Sequence, residues 1–351
     1  MAKRPTSIKQ VADAAGVSTA TVSNVFSGKK PVNPDLAQRV RDTAAALGYQ
    51  VNRAASNLRS GQSRVVPVMV PDLSDPFFTQ LITEIEARAE ADGYDIIVAS
   101  SKDDPEIERR RVNALLSWQP AGMIIVPCTD RVPEPLVAAK ETLPIVLADR
   151  GEDAEGFDRV YPDNEEAGRI VGDHLVGLGH RHVLIVASDM RLKAIRRRCD
   201  GAARRIEASG GIADLIEVGP EPRHGAAMLS DWLQSHPMPS ALFAVTDMTT
   251  LAILNCLAAR NCEVGRDVSV VGFDDYPWMS ARRTPITAIQ QPVDGIAQNA
   301  WSTLRARMSG KEPDALREPL HCVLRLRAST SRTYEEAGAR EESQRGEQKA
   351  S

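Results

Sequence analysis

Three short segments within residues 7–48 carry apolar residues at helical spacing, with turn-forming residues between them. The apolar stripe of the first segment is formed by Ile8, Val11, Ala12 and Ala15. Ser7 and Gln10 have the three-residue spacing of a capping box, and Gly16 permits a tight turn. The first segment is therefore predicted to be a helix that ends at a turn.

The second segment is predicted to start at Ser18, because serine is a favoured helix-capping residue. Its apolar residues Val22, Val25 and Phe26 are predicted to face inward. The side chains expected to project outward are Thr19, Ala20, Ser23 and Asn24.

The third segment begins with Asn33 and Pro34, a capping residue followed by a residue suited to the first helical turn. Its apolar positions before Gly48 are Leu36, Val40, Ala44 and Leu47. Two helices joined by a tight turn match the helix-turn-helix arrangement, whose second helix enters the major groove of DNA. An ordinary three-helix bundle is the alternative interpretation of the same pattern.

Charge is distributed unevenly along the chain. Residues 1–64 contain ten lysines and arginines against three aspartates, a net charge of +7, whereas the whole chain carries −4 and the remainder therefore −11. A basic segment can neutralise DNA phosphates, which an acidic segment repels. The charge distribution therefore favours DNA binding by the N-terminal segment alone.

From Val65 on, short β-rich runs alternate with amphipathic stretches of helical length. The runs are VVPVMV, YDIIVAS, GMIIVP, PIVLAD, HVLIVAS, LIEVG, ALFAVT and VSVVGFD. Such alternation is typical of parallel sheets covered by helices. The runs are too many for one sheet, and DRVYPDNEEAGRI lies midway along them, so the 351-residue chain is predicted to form two similar α/β lobes.

The sequence argues against several other classes of protein. No apolar run approaches the roughly 20 residues of a membrane span, and the basic N-terminus has no apolar signal region, so a cytoplasmic location is expected. The five cysteines lack metal-ligand spacing and are interpreted as buried, reduced thiols. His180 and His182 are assigned to a polar loop before a strand. With no catalytic constellation and no phosphate-cradling loop, we expect no enzyme activity, no cofactor and no metal.

The segment IKQVADAAGVSTATVSNVF, followed by NPDLAQRVRDTAAALGYQVNRAASNLRSG, closely resembles the N-terminus of the lactose-repressor (LacI/GalR) family of bacterial transcription regulators. The resemblance extends to about residue 334. It implies a helix-turn-helix head over 1–50, a hinge helix over 51–63 and a two-lobed, periplasmic-binding-protein-like effector domain with doubly wound parallel sheets over 64–334. Lobe one would comprise 64–161 with about 291–320, and lobe two about 162–290 with 321–334. Residues 335–351 lack apolar periodicity and are expected to be disordered.

The resemblance and the geometry of the major groove together indicate which head residues contact DNA. Thr19, Ala20 and Asn24 are expected to read bases. Contacts to phosphate or base are expected from Ser18, Thr21 and Ser23. The asparagine offers a donor and an acceptor that match adenine, and a simple phosphate contact is its alternative role.

The resemblance also implies DNA contacts in the hinge. Asn52 and Ala55 would touch DNA, and Leu58 would act as a wedge in the minor groove at the centre of a palindrome. Without the family, the same segment is a polar linker with one stray leucine.

Effector contacts are implied at several positions, most of which follow the carboxyl ends of predicted strands. These positions hold Asp72, Ser74, Asp75, Phe77, Phe78, Asp149, Arg150, Arg198, Thr246, Asp247, Asp274, Asp275 and Gln291. Aromatic rings can stack on a sugar or base, while aspartate and arginine bond hydroxyl or anionic groups. Arg198 and Asp274 are expected to face a water-filled cleft, and a helix cap is the alternative role of each acid.

Two departures from the family pattern concern lobe two. Thr246 stands where relatives often have asparagine, and EVGPEPRH lacks an aromatic residue that commonly lines the pocket, which puts ring recognition by this lobe in doubt. In addition, a basic run is either a solvated helix face or the site of an anionic ligand. This run comprises Arg191, Lys193, Arg196, Arg197 and Arg198.

Together these features predict a homodimeric transcription regulator, acting as a repressor, whose affinity for palindromic operator DNA is controlled allosterically by a small molecule. A sugar, sugar acid or sugar phosphate is favoured over a purine. The rival is a transport receptor of the same fold, which would need a signal peptide and no basic head. A tetramer is not expected, because no Leu, Ile, Val or Met follows Tyr334 to form a coiled coil.

Overall fold

The structure, a computed structural model, describes residues 6–27, 30–49, 63–313 and 319–332. By its internal contacts the chain divides into two compact units, Met1–Arg64 and Val65–Ser351. The predicted hinge contacts Asn52, Ala55 and Leu58 and the tail 335–351 lie outside the described residues.

The N-terminal unit is a small helical domain with α1 (Ile8–Ala15), α2 (Thr19–Ser27) and α3 (Pro34–Ala46). The predicted capping box of α1 is present, since Ser7 N donates to Gln10 Oε1 at 2.8 Å and Gln10 N donates to Ser7 Oγ at 3.4 Å. Gly16 then adopts the left-handed conformation, with φ of 66°, and ends α1. The buried core is formed by Val11, Ala12, Ala15, Val22, Val40 and Ala44.

Two residues predicted to face this core are largely exposed. Phe26 is 37% exposed, and its ring lies against Tyr49 with 5.8 Å between centroids. Leu47 is 41% exposed because α3 ends at Ala46, so Leu47 is the capping residue and leaves the apolar stripe.

Lobe one of the second unit is built on a five-stranded parallel sheet. Its strands are β1 (Val65–Val70), β2 (Asp95–Ser100), β3 (Met123–Ile125), β4 (Ile145–Ala148) and β5 (Asp158–Val160), in the order β2-β1-β3-β4-β5. Three helices follow its strands, α4 (Pro76–Ala91), α5 (Pro105–Leu116) and α6 (Glu134–Ala139). The central strand β1 is buried from its second residue onward, which is why its sequence is apolar throughout.

Lobe two follows with a six-stranded sheet. Its strands are β6 (His182–Ala187), β7 (Ile212–Glu217), β8 (Ala241–Ala244), β9 (Ser269–Phe273), β10 (Thr287–Gln290) and β11 (Val323–Arg325), in the order β11-β10-β9-β8-β6-β7. Its helices are α7 (Asn164–Gly177), α8 (Lys193–Glu207), α9 (Pro222–Ser235), α10 (Asp247–Ala259) and α11 (Pro277–Ser280). The sheet is parallel except for β11, which pairs antiparallel with β10.

The chain passes between the lobes at three places. After β5 it enters lobe two, and after β10 it returns to lobe one as α12 (Val293–Met308), which packs on α4. The first and third crossovers are hydrogen-bonded to each other, since Asp163 N donates to Leu320 O at 2.8 Å and Leu320 N donates to Tyr161 O at 3.0 Å. The predicted fold class is confirmed.

Helices α7 and α8 of lobe two cross at two glycines. A Cβ on Gly168 would lie 2.0 Å from Arg198 O, and a Cβ on Gly201 would lie 2.0 Å from Glu165 O. Only glycine permits this approach, which brings the start of α7 against Arg198 on α8. In the described part of the chain, no helix is both long and apolar enough to cross a membrane.

Candidate functional site

The proposed DNA-reading helix α2 has a polar, accessible surface. Thr19, Ala20 and Ser23 are exposed, and Thr21 and Asn24 are half-buried. Ser18 caps the helix, because its Oγ accepts from Thr21 N at 3.1 Å and lies 2.9 Å from Thr21 Oγ1. Exposed cations on the same unit are Lys9, Lys30, Arg39 and Arg41.

Four of the predicted effector residues are acids that lie near one another in the cleft between the lobes. Asp75 and Asp149 follow β1 and β4 of lobe one, and Asp247 and Asp274 follow β8 and β9 of lobe two. The lobes meet here, since Tyr276 donates its hydroxyl to Asp75 Oδ1 at 3.4 Å. Both sheets therefore point the carboxyl ends of their strands into one site, as expected for ligand binding in doubly wound folds.

Burial raises the pKa of all four carboxylates, and the charges of neighbouring acids add to this rise at Asp75, Asp247 and Asp274. Burial, with the charge of Asp274 second, raises the pKa of Asp75 to about 6. Burial, followed by the charges of Asp274 and Asp75, raises the pKa of Asp247 to about 7. Burial also raises the pKa of Asp149 and of Asp274. The cleft thus concentrates negative charge in a region from which water is largely excluded.

Arg198 supplies positive charge at the base of the cleft. Its Nε donates to Asn164 Oδ1 at 2.8 Å, its Nη1 donates to Val245 O at 2.9 Å, and its guanidinium lies 3.8 Å from the centroid of the Phe273 ring. The residue is only 4% exposed. The expectation that Arg198 faces a water-filled cleft is therefore wrong, because its guanidinium is packed into the interior of lobe two.

Two buried acceptors in the cleft have no hydrogen-bond partner. Gln291 donates Nε2 to Asp274 Oδ1 at 2.6 Å, which leaves its own Oε1 unpaired, and Asp149 Oδ1 is also unpaired. Both residues are 7% exposed. Buried polar atoms are normally satisfied, and unpaired ones mark strain or function.

The backbone is strained at two of the cleft acids. Asp149 and Asp274 adopt positive φ angles of 61° and 78°. This conformation is unfavourable for residues other than glycine, although aspartate tolerates it better than most. Such strain clusters at ligand-binding sites, where it aims a side chain that regular geometry would direct elsewhere.

Among the other predicted effector residues of lobe one, Arg150 contacts Phe78. Its Nη1 donates to Cys128 O at 3.1 Å, and its guanidinium lies 5.7 Å from the Phe78 ring centroid. Phe77 and Phe78 are 5% and 4% exposed and belong to the core of lobe one, so little of either ring is open for stacking. Asp72 accepts from the backbone N and the hydroxyl of Ser74 in an exposed loop.

In lobe two, Thr246 and Asp275 have partners within the lobe. Thr246 forms a capping box at the start of α10, where its Oγ1 accepts from Thr249 N at 3.2 Å. Asp275 accepts from Arg327 Nη1 at 2.5 Å. Thr246 is therefore a helix cap, and the helix-cap alternative given for the acids describes Asp75 at the start of α4.

The sequence reasoning missed Tyr276 and Asn164. Tyr276 belongs to lobe two but packs in the core cluster of lobe one, and burial raises its pKa. The sequence feature that could have identified Tyr276 is its position two residues after Asp274 in the segment FDDYPW. Asn164, the first residue of α7, is 3% exposed and is recognisable only through its contact with Arg198.

The basic run has a different role from either predicted one. Arg191 pairs with Asp189 in an exposed turn, whereas Lys193, Arg196 and Arg197 pair with acids of lobe one. Of the run, only Arg191 is a solvated residue, and the other four side chains are engaged in contacts within the protein.

Among the described residues, His180, His182 and the five cysteines do not form a further binding site. His180, expected in a polar loop, is 2% exposed and contacts Ser240 Oγ at 2.9 Å, while His182 begins β6. All five cysteines are free, and only Cys262 is more than slightly exposed. Over the described ranges, no group of three or more His, Cys, Asp or Glu residues could hold a metal ion.

Comparison with known proteins gives consistent similarities. A model of the lacI family of bacterial regulatory proteins matches residues 7–52, and one of a periplasmic binding protein-like domain matches 172–330. The HTH-type transcriptional regulator PtxS of Pseudomonas plecoglossicida is 31% identical over 333 residues, which cover 94% of this chain and 97% of PtxS. The repressor PurR of Haemophilus influenzae is 25% identical over 310 residues, which cover 87% of this chain and 92% of PurR.

Among solved structures, a Lac repressor dimer bound to operator and the anti-inducer ONPF superposes with a TM-score of 0.82 at 26% identity. The match covers 93% of this chain and all of the Lac repressor chain. These similar proteins are transcriptional regulators, which agrees with the expectation that the chain is not an enzyme.

Proposed function

Because the chain belongs to the LacI family of bacterial regulatory proteins, we propose that it is a cytoplasmic repressor whose affinity for operator DNA is set by a sugar or sugar derivative bound between its lobes. DNA binding and transcriptional regulation follow from the family. The proposal concerns the residues that read DNA, the effector and the coupling between the two sites.

For DNA reading, the proposed base contacts are Thr19, Ala20 and Asn24. The first two are exposed on one surface of α2, and the half-buried Asn24 retains access to it. Ser18, Thr21 and Ser23 are proposed to position the helix on the phosphates. In a homodimer, two such helices meet a palindrome, with Leu58 of each chain at its centre. Light scattering that gave a stable tetramer at micromolar concentration would contradict the proposed dimer.

The effector proposal rests on two unpaired acceptors, Asp149 Oδ1 in lobe one and Oε1 of Gln291, which lies in the crossover after β10 and is hydrogen-bonded to Asp274 of lobe two. Both accept hydrogen bonds, so the fitting ligand donates to each of them and thereby bridges the lobes. A sugar has hydroxyl donors on several sides of one compact ring, which suits this arrangement. The guanidinium of Arg150 is available to a carboxylate or phosphate of a sugar derivative.

Coupling requires that the effector bind one arrangement of the lobes better than another, since equal affinity for both would shift nothing. A ligand that bridges Asp149 and Gln291 favours the closed arrangement. Closure then changes how two lobe-one surfaces meet in the dimer and so changes the hinge that leads to the DNA heads. Operator affinity responds by the same free energy that separates the ligand affinities of the two states.

A thermal-shift screen tests the effector proposal with sugars, sugar acids, sugar phosphates and purines as probes. A ligand at 100 times its Kd stabilises the folded protein by about 2.7 kcal/mol. The stabilising compound should lose its effect in Asp149→Ala, which removes the acceptor, but keep it in Asp231→Ala, which alters an exposed acid on α9. A compound that stabilised all three proteins equally, or stabilisation by purines alone, would contradict the proposal.

A further inference from the structure

Three basic residues at the start of α8 in lobe two bind acids of lobe one. The acids follow the carboxyl ends of lobe-one strands, Asp130 after β3 and Glu152 and Asp153 after β4. Lys193 Nζ lies 2.5 and 2.6 Å from the carboxylate oxygens of Asp153. It also lies 3.1 Å from Glu152 Oε1.

The remaining contacts make a connected network. Arg197 Nε donates to Glu152 Oε1 at 2.6 Å, so this carboxylate lies between two cations, and its side chain is only 15% exposed. Arg196 Nη2 donates to Asp130 Oδ2 at 2.9 Å. Arg197 also donates through Nη1 to Glu165 Oε2 of its own lobe at 3.1 Å. Ion pairs that share partners in a network contribute more to stability than isolated surface pairs.

Asp130 also caps α8 across the cleft. The backbone N of Lys193 donates to both oxygens of Asp130, at 3.0 and 2.9 Å, whereas the capping position Leu192 provides no side-chain bond of its own. A carboxylate at a helix N-terminus is favoured by the helix dipole and by the unpaired backbone N–H groups. The first turn of a lobe-two helix is thus completed by a residue of lobe one.

We infer that Lys193, Arg196 and Arg197 with Asp130, Glu152 and Asp153 form an interlobe latch, which holds the cleft closed through direct contacts and makes its opening dependent on salt. The contacts join protein groups directly, so the latch acts before any effector arrives. The hydrogen bond between Lys193 and Asp153 raises the pKa of the lysine and lowers that of the aspartate, so both stay charged at neutral pH.

The latch has a functional consequence beyond the proposed effector site. Because the latch already favours closure, less of the effector's binding free energy is used to close the cleft. The latch therefore raises the apparent affinity of an effector that binds the closed cleft. Effector entry requires opening, so the latch also slows binding. The inference concerns the ligand-free protein and stands whether or not the effector is a sugar.

Helix α8 itself provides a matched control. Arg204 lies about two turns after Arg197 on the same helix, but it pairs with Glu165 and Asp200 of its own lobe. Glu165 also accepts from Arg197, and the substitution of Arg204 leaves that contact in place. The Arg204 substitution removes the same charge from the same helix without touching lobe one. Any effect of net charge or of helix stability alone would appear in this variant too.

The latch can be tested by pulsed electron paramagnetic resonance on the full-length, ligand-free protein. Spin labels are introduced as unnatural amino acids at exposed Glu141 of lobe one and exposed Arg223 of lobe two. At low salt the wild type should give one narrow distance. Raising the salt to about 1 M, where the screening length falls to about 3 Å, should add a second distance for the open cleft.

The variants Lys193→Gln and Asp153→Asn should each show the open distance at low salt, with a population several-fold above wild type, and Arg204→Gln should match wild type. In the double variant the two effects should add only in part, because both substitutions remove the contact between Lys193 and Asp153. Asp153 has an exposed side chain, so its variant should fold even where the Lys193 variant does not. Distances unchanged in both latch variants, or equal opening in the Arg204 variant, would overturn the inference.

Discussion

Gln291 donates its amide Nε2 to Asp274 Oδ1 at 2.6 Å, and this bond fixes which end of the amide is left unpaired. Because the amide nitrogen donates to the carboxylate of Asp274, the atom without a partner is the amide oxygen Oε1, which is an acceptor. The bond also lowers the pKa of Asp274, which burial raises. One side chain therefore stabilises a buried charge of lobe two and leaves an acceptor for a ligand.

Replacing this glutamine should weaken the folded state. Gln291→Met preserves the length of the side chain but removes the donor, so the free energy of unfolding should fall by about 1–3 kcal/mol. Gln290→Met is the control, because the neighbouring glutamine only accepts from the exposed Arg325. Urea unfolding of both variants at neutral pH checks the difference, and equal losses would contradict the role given to Gln291.

Arg198 should be required for the stability of lobe two. Arg198→Met leaves Asn164 Oδ1 and the carbonyl of Val245 unpaired and removes the charge that offsets Asp149 and Asp274, so a loss of about 3 kcal/mol or more is expected. Arg204→Met on the same helix removes a mostly exposed ion pair and should cost less than about 1 kcal/mol. Chemical unfolding measures both, and a comparable cost for the two variants would refute the structural role of Arg198.

The acids of the cleft predict how stability depends on pH. The pKa values of Asp75 and Asp247 lie at about 6 and about 7 in the folded protein. In the unfolded chain an aspartate titrates near 3.9. Between about pH 4 and about pH 7, Asp75 and Asp247 hold protons in the folded state that they release in the unfolded chain. The stability that these two acids contribute is therefore fully present below about pH 4 and is lost as the pH rises to about 7.

Asp247→Asn should remove the contribution of that residue. The variant should gain stability relative to wild type as the pH rises from about 4 to about 7, by about 1–3 kcal/mol, and the gap should stay constant above that range. Asp231→Asn, an exposed acid of the same lobe, serves as the control. Urea unfolding across this range checks the prediction, which fails if the gap is the same at both ends.

The crossing of α7 and α8 should tolerate no side chain at its closest point. Gly201→Ala places a Cβ 2.0 Å from Glu165 O, so the helices must separate, at a cost of about 1–3 kcal/mol or more. Gly177→Ala at the end of α7 meets no atom within 4 Å and should be neutral or slightly stabilising. Thermal unfolding of the two variants distinguishes a packing effect from a general effect of glycine replacement.

Local sequence patterns were sufficient for much of the fold. The capping box at Ser7, the turn at Gly16 and the cap at Asn33 act between residues that are neighbours in the chain, and the structure contains all three. Most β-rich runs became buried interior strands because apolar composition follows directly from burial, whereas β2 and β7 became partly exposed edge strands. The strands β5, β10 and β11 were missed because their sequences DRV, TAIQ and VLR contain polar residues and form no continuous apolar run.

Local sequence patterns could not predict contacts between segments that are far apart in the sequence. The charges of Lys193, Arg196 and Arg197 are visible in the sequence, but their partners lie 40 residues or more away and in the other lobe. The burial of Arg198 likewise depends on Val245 and Phe273, which reach it only through the assembled sheet. Sequence predicts where charge occurs, and tertiary packing decides whether that charge meets water, a ligand or another lobe.

The central claim, that α2 of the N-terminal unit reads a specific operator, is tested most directly by selecting duplexes from a random pool with the full-length protein and with Asn24→Arg. The wild type should return a palindrome with half-sites about one helical turn apart. The variant should return the same palindrome with A·T changed towards G·C at one symmetric position, a change of about 1–3 kcal/mol in preference. The control Gln38→Arg adds the same charge at an exposed position of α3 and should leave the consensus unchanged. Recovery of no consensus by the wild type, or of one consensus by wild type and Asn24→Arg alike, would contradict the account.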